Sequence, residues 1–233
     1  MNLNLYDFFN RSGKPGTTRW PTRAGPRSIN MDITNRCTLA CITCERTHRI
    51  RNDGKVIGTI LSLADFEKYM PWFDHFDFCG QVSDPSMHPE FDKILELVVK
   101  NNKSATVHNT ASHRPERWYR KMFDISSGNQ IEWYFGIDGL PKDSHKYRTR
   151  QDGEKLFEMM SIASKYDPGF AIKWKYIIFK YNQNDVEECK QMAKDLGIIF
   201  NTVNSRRHPP GLRPDEEFTS IFAMGNTYYG PDE

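Results

Sequence analysis

The chain has 233 residues and a mass of 27.2 kDa, enough for one domain with its own core. Its 32 Lys and Arg nearly cancel 30 Asp and Glu, leaving a formal net charge of +2, which argues against a nucleic-acid coat or a polybasic membrane tail. With 13% aromatic residues it is no disordered chain, and no apolar run approaches the roughly 18 residues of a membrane span. The opening Met1–Asp7 has neither the basic start nor the apolar stretch of a signal peptide, so a soluble, cytoplasmic protein with no membrane partner is expected.

Residues 1–27 crowd Pro15, Pro21 and Pro26 among Gly13, Gly16 and Gly25, and read as an irregular N-terminal arm, with a short helix docking Tyr6, Phe8 and Phe9. Residues 1–60 hold ten Lys and Arg against four Asp and Glu, which is either a solvated face or the lining of an anionic site. From residue 28 to 201, short β-branched or aromatic runs alternate with amphipathic segments, the pattern of a βα repeat. The strands expected are Ser28–Thr34, Phe76–Cys79, Ala105–Asn109, Ile131–Ile137, Ala171–Phe179 and Gly197–Asn201. Between them lie helices expected at Ser62–Met70, Glu90–Asn101, Pro115–Met122, Gly153–Tyr166 and Asn184–Leu196. Ser62 with Asp65 makes a shortened capping box, Pro115 suits a first helical turn, and Gly197 suits a stop. Six strands and five helices fit an α/β fold, either a partial parallel barrel or an open doubly wound sheet. Residues 202–233 lack a periodic pattern and read as a C-terminal tail.

Two strands describe the inside of that sheet. Ile131, Trp133, Phe135 and Ile137 share one phase, as do Ile172, Trp174, Tyr176 and Ile178. Helices cover the outer face of a parallel sheet, so the apolar phase turns outward and leaves Glu132, Asp138, Lys173 and Lys175 inside. A packed barrel interior is dominated by branched aliphatics, so a polar lumen points to a bound ligand. An edge strand with one wet face is the competing explanation.

Three of the five cysteines, Cys37, Cys41 and Cys44, form a C-x3-C-x2-C cluster just after the first strand. An odd total without a signal peptide is a poor disulfide framework, and a tight cluster points to metal. Three thiolates on one loop can hold three irons of a cubane and leave the fourth iron open. Arg36 and Arg46 flank the loop and can offset its negative charge. His48 follows four residues after Cys44, so a Cys3His zinc site is the alternative, and unligated cysteines the bland one.

These residues, with the Asp32-Ile33-Thr34-Asn35-Arg36 strand end before them, resemble the radical S-adenosylmethionine (SAM) superfamily. Gly80-Gln81-Val82-Ser83-Asp84-Pro85 is similar to its Gly-Glu-Pro loop, and Val107-His108-Asn109-Thr110-Ala111 to its Thr-Asn-Gly segment. Gly136-Ile137-Asp138-Gly139 and His145-Lys146-Tyr147-Arg148 resemble segments of the peptide-modifying SPASM and twitch branch. The resemblance implies a partial (β/α)6 barrel with a [4Fe-4S] cluster on Cys37, Cys41 and Cys44. It also implies SAM as cofactor, a radical that abstracts hydrogen from substrate, and an electron donor such as flavodoxin or ferredoxin.

Carried over by position, Ser83, Asp84 and Pro85 would line the SAM amino group and Arg148 would take the SAM carboxylate. Asn109, Thr110 and Asp138 would lie near the ribose hydroxyls or the substrate. Cys79, beside the SAM loop, would be a small core residue or a thiol that returns a hydrogen atom. Thr43 stands where an aromatic residue often meets the adenine, and Gly136 where a serine often stands. No cysteine follows Cys189, which falls in a helix pattern and is expected to be buried, so auxiliary clusters have no ligands in this tail. The resemblance favours a peptide or protein side chain as substrate. The rivals are a nucleotide or sugar held by Lys173, Lys175 and the tail cations Arg206, Arg207 and Arg213, and a non-catalytic zinc or iron–sulfur binding module.

Overall fold

The computed structural model describes residues 27–79, 82–166, 168–204, 211–216, 218 and 225–230. The expected arm helix, Gly80, Gln81, Arg206 and Arg207 lie outside the described residues. Strands β1 (Ser28–Asn30), β2 (His75–Phe78), β3 (Ser104–Asn109), β4 (Ile131–Gly136), β5 (Ala171–Ile177) and β6 (Ile199–Asn204) pair in chain order, all parallel. A seventh strand, β7 (Gly225–Tyr229), joins β6 antiparallel and ends the sheet. The sheet runs from β1 to β7 without closing on itself. The partial barrel is thus the alternative realised.

Helices α1 (Glu45–Asp53) and α2 (Leu63–Glu67) separate β1 from β2. Single helices α3 (Phe91–Lys100), α4 (Glu116–Ser126), α5 (Gly153–Ala163) and α6 (Val186–Asp195) then bridge each later parallel pair. The Ser62 hydroxyl accepts from the Asp65 N–H at 3.1 Å and donates to its carboxylate at 2.7 Å, the capping box expected. Beyond α6, Gly197 adopts φ +66°, a left-handed stop that would strain a side chain. Pro115 sits one residue outside α4, at its N-cap.

Trp133 and Phe135 of β4, with Trp174 and Tyr176 of β5, are fully buried against the helices. Phe123 of α4 meets Trp133 edge-on at 5.5 Å, and Phe200 of β6 meets Trp174 likewise at 5.5 Å. The tryptophans also satisfy their N–H groups: Trp133 donates to Ser126 Oγ at 3.0 Å and Trp174 to the Ile137 carbonyl at 2.8 Å. The apolar phase faces outward as expected, and of the polar phase Glu132, Lys173 and Lys175 turn to the lumen while Asp138 does not. Part of that lumen is filled from within. Lys173 pairs closely with Glu132 and lies over the rings of Tyr134 at 4.9 Å and Tyr228 of β7 at 5.1 Å. The Glu132–Lys173 pair is therefore internally satisfied and needs no ligand to explain it.

Among the described residues, no helix is long and apolar enough to cross a membrane.

Candidate active site

The loop after β1 turns its three cysteines into a cavity of about 420 Å³ at the C-terminal ends of the strands. The Leu39 N–H points at Cys37 Sγ, 3.4 Å away, and the Cys44 N–H closes a turn onto the Cys41 carbonyl at 3.2 Å. The loop is tied to the opposite wall by backbone: Ala40 N–H donates to the Thr149 carbonyl at 3.1 Å and Ile42 N–H to the Tyr147 carbonyl at 3.3 Å. Burial pushes the Cys37 thiol up to about 12, with Asp84 adding to the effect, and burial also raises Cys41. Such thiols stay protonated at neutral pH until a metal displaces the proton.

Cys79, Ser83, Thr110 and Arg148 join the cysteines in the cavity wall, as do His108, Tyr134, Tyr147 and Lys175. Sequence reasoning placed Lys175 in the lumen but gave His108, Tyr134 and Tyr147 no role there. Their inward phase was legible for Tyr134, since it alternates with Trp133 and Phe135. Cys79 is half-buried in this wall and not a core residue. Cys189 is on the buried face of α6, as expected.

Asp84, Pro85, Asn109 and Asp138 are not brought to the wall. They are buried behind it. Asp84 uses both oxygens within the protein: Oδ1 accepts from the Ser86 N–H and hydroxyl, and Oδ2 from the Thr110 and Ala111 N–H groups at 2.8 Å each. The Thr110 hydroxyl donates to the same Oδ2 at 3.0 Å. A carboxylate so saturated ties the β2 loop to the end of β3 and has no lone pair left for an ammonium. Asn109 Nδ2 is spent on Asp84 and the Ala111 carbonyl.

Asp138 is turned back to accept from the Ile177 N–H at 2.7 Å and lies 2.8 Å from Arg148 Nε. Burial is the largest influence on this carboxyl and pushes it up, against the pull of Arg148. Burial likewise disfavours the Arg148 cation, but Asp138 outweighs it and holds the guanidinium above its ordinary value. Arg148 is thus a fixed cation in the wall. It also explains Gly136: a Cβ there would sit 2.4 Å from Thr110 Cγ2 and 3.0 Å from Arg148 Nη2. The position is occupied by neighbours, so a serine has no room.

Three residues around the cysteine loop are placed as well. Arg46 lies in the wall and donates to the carbonyls of Asn35 and Val82, whereas Arg36 is exposed. Thr43, at the place where an aromatic residue often meets the adenine, has its hydroxyl 2.6 Å from that of Tyr147.

No family model matches the chain. A curated relative, the tungsten-containing aldehyde ferredoxin oxidoreductase cofactor-modifying protein of Pyrococcus furiosus, is 20% identical over 179 residues. That match covers 73% of this chain and 49% of the relative, so the chain spans about half of its length. Among solved structures, Streptococcus suis SuiB bound to S-adenosylmethionine superposes with a TM-score of 0.64 at 11% identity, over 84% of this chain and 46% of SuiB. A radical SAM methyltransferase from Sphaerobacter thermophilus gives 0.56 at 12% identity, over 83% and 60%. The chain has the radical SAM fold. A third structure with this fold, anSMEcpe with bound AdoMet and the Cp18Cys peptide, gives 0.58 at 15% identity, over 82% of this chain and 56% of that one.

The radical SAM fold implies an iron–sulfur cluster, and the cysteine loop fits one better than it fits a single ion. Among the described residues, three potential ligand atoms approach within 4.8 Å of one another only at Asp77, Cys79 and His108. The sulfurs of Cys37, Cys41 and Cys44 are therefore spread more widely. One zinc ion, with bonds of about 2.3 Å, cannot hold sulfurs more than about 4.6 Å apart. His48, the fourth ligand of the zinc alternative, is exposed on α1 and outside the cavity wall. Three separated thiols around one cavity suit a polynuclear cluster with an open corner.

Proposed function

We propose that this chain is a radical SAM enzyme that cleaves S-adenosylmethionine reductively at a [4Fe-4S] cluster on Cys37, Cys41 and Cys44 and abstracts hydrogen from a peptide or protein side chain. The observation that carries the reading is the opening of all three cysteines onto one cavity walled by strand ends. When bound, the cluster and SAM would supply the 5′-deoxyadenosyl radical; the protein supplies position and shelter. Arg148, fixed by Asp138, offers a guanidinium to the SAM carboxylate. The Ser83 hydroxyl donates to Asp32 at 2.5 Å and the Thr110 hydroxyl to Asp84, so both turn only lone pairs to the cavity. Lone pairs accept from an ammonium, which supports Ser83 beside the SAM amino group, as the sequence suggested, with Thr110 in the part suggested for Asp84.

The peptide preference draws on relatives: SuiB is described bound to the precursor peptide SuiA, and anSMEcpe with the Cp18Cys peptide. The nucleotide or sugar reading loses one of its cations, because Lys173 is engaged by Glu132 and two tyrosines. An electron donor of the flavodoxin or ferredoxin kind belongs to the same proposal.

The test is anaerobic reconstitution with iron and sulfide, followed by reductant and SAM, with 5′-deoxyadenosine as the readout. Wild-type protein should release it, and a Cys37→Ala/Cys41→Ala/Cys44→Ala variant should not. A wild-type chain that incorporates no iron and binds no SAM would overturn the reading.

A further inference from the structure

The cavity wall holds a second group of metal-ligand side chains, apart from the cysteine loop. Phe78 of β2 pairs with Val107 of β3, so Cys79 and His108 follow as neighbours in register, and Asp77 stands one inward position earlier. One ligand atom from each of Asp77, Cys79 and His108 falls within 4.8 Å of the other two. Cys79 and His108 both line the cavity.

The carboxylate is oriented from behind. Asn30 Nδ2 donates to Asp77 Oδ2 at 2.8 Å, which turns Oδ1 toward His108 Nε2, 3.4 Å away. That Oδ1 is shielded from solvent and accepts no hydrogen bond. A buried carboxylate oxygen without a donor is costly, and a cation removes the cost. The imidazole is held as well, stacked on Tyr134 with ring centroids 4.6 Å apart and planes 11° from parallel.

We propose that Asp77, Cys79 and His108 form a mononuclear divalent-metal site of the zinc class, with its open coordination position facing the cavity. One sulfur, one nitrogen and one oxygen ligand suit zinc, whereas magnesium and calcium take oxygen shells. Three protein ligands and one open position are the arrangement of catalytic zinc sites, unlike closed structural ones. A thiolate and a carboxylate neutralise the dication. Lys175, which lines the same cavity, places a cation near Cys79 and His108. The open position is therefore suited to an anionic oxygen ligand such as a carboxylate of the substrate. That last assignment rests on the enzyme reading; the metal site does not.

The probe is cobalt(II), titrated without oxygen into the full chain carrying Cys37→Ala, Cys41→Ala and Cys44→Ala, which removes the competing thiolates. One equivalent should bind with a thiolate-to-cobalt charge-transfer band. Adding Cys79→Ser should abolish that band, and adding His108→Ala should weaken binding at least tenfold. As a second measurement, wild-type chain with its cluster reconstituted, exposed to zinc and gel-filtered, should retain about one zinc per chain beside its iron. Absence of retained zinc in that wild-type sample would overturn the proposal. So would cobalt binding that is indifferent to Cys79→Ser. None of these readouts requires SAM cleavage, so failure of the metal site and failure of the radical reading are separately visible.

Discussion

At the scale of single residues, several buried polar side chains, though not Asp77 Oδ1, are held by partners that the chain itself provides. His88 is an example outside the cavity: its Nε2 lies 2.7 Å from the Leu61 carbonyl and its Nδ1 accepts from the Glu90 N–H at 3.1 Å. The acceptor bond at Nδ1 needs the neutral ring, and burial, against the pull of the Leu61 carbonyl, holds His88 below its ordinary value of 6.5. In the window below 6.5 the unfolded chain binds the extra proton and the folded chain does not, so stability is present above 6.5 and falls as the pH drops. Urea midpoints taken at about pH 7.5 and about pH 5 should fall more for wild type than for His88→Gln. Equal falls would remove His88 from the account. Sequence showed the cluster cysteines because their spacing is local chemistry. It could not show that Asp84 is saturated, because its donors, Thr110 and Ala111, are 26 and 27 positions away.

At the scale of elements, alternation along β4 and β5 was enough to sort the two faces of the sheet. Trp133, Phe135, Trp174 and Tyr176 went outward, and Tyr134 and Lys175 inward. The alternation stops being informative where the strand ends. Asp138 lies two residues beyond β4, and the backbone there turns it away from the lumen toward Ile177. Gly136 is the last residue of β4 and the point where β3, β4 and the Arg148 segment converge. Gly136→Ser should cost about 1–3 kcal/mol by overpacking against Thr110 and Arg148. The same variant should weaken SAM binding under the proposed function, read by equilibrium dialysis against wild type. A variant as stable as wild type with unchanged SAM affinity would contradict this geometry.

At the scale of the whole molecule, the sheet is open and its end is guarded by β7. Phe200 of β6 lies 6.2 Å from Tyr229, and Lys190 of α6 sits 4.1 Å above the same ring. Without β7 the open edge would pass to β6, whose Phe200 would lose the Tyr229 ring, and an apolar edge strand is a template for association with another chain. A chain ended after Asn204 should therefore self-associate, with a mass above the monomer by light scattering. A monodisperse monomer as stable as the full chain would show that β7 does no such work.

The sequence by itself determined the repeat of strand and helix, the outward apolar phase, and the cysteine loop, because each depends on residues within a few positions of one another. Tertiary structure decided which polar groups beyond the alternating strand positions face the cavity. Asp84 and Asp138 were withdrawn from it by backbone donors remote in sequence, and Tyr147 and Arg148 were brought into it from the segment before α5. It also decided that Asp77, Cys79 and His108 meet, since parallel pairing sets β2 beside β3 in a register that no local pattern encodes.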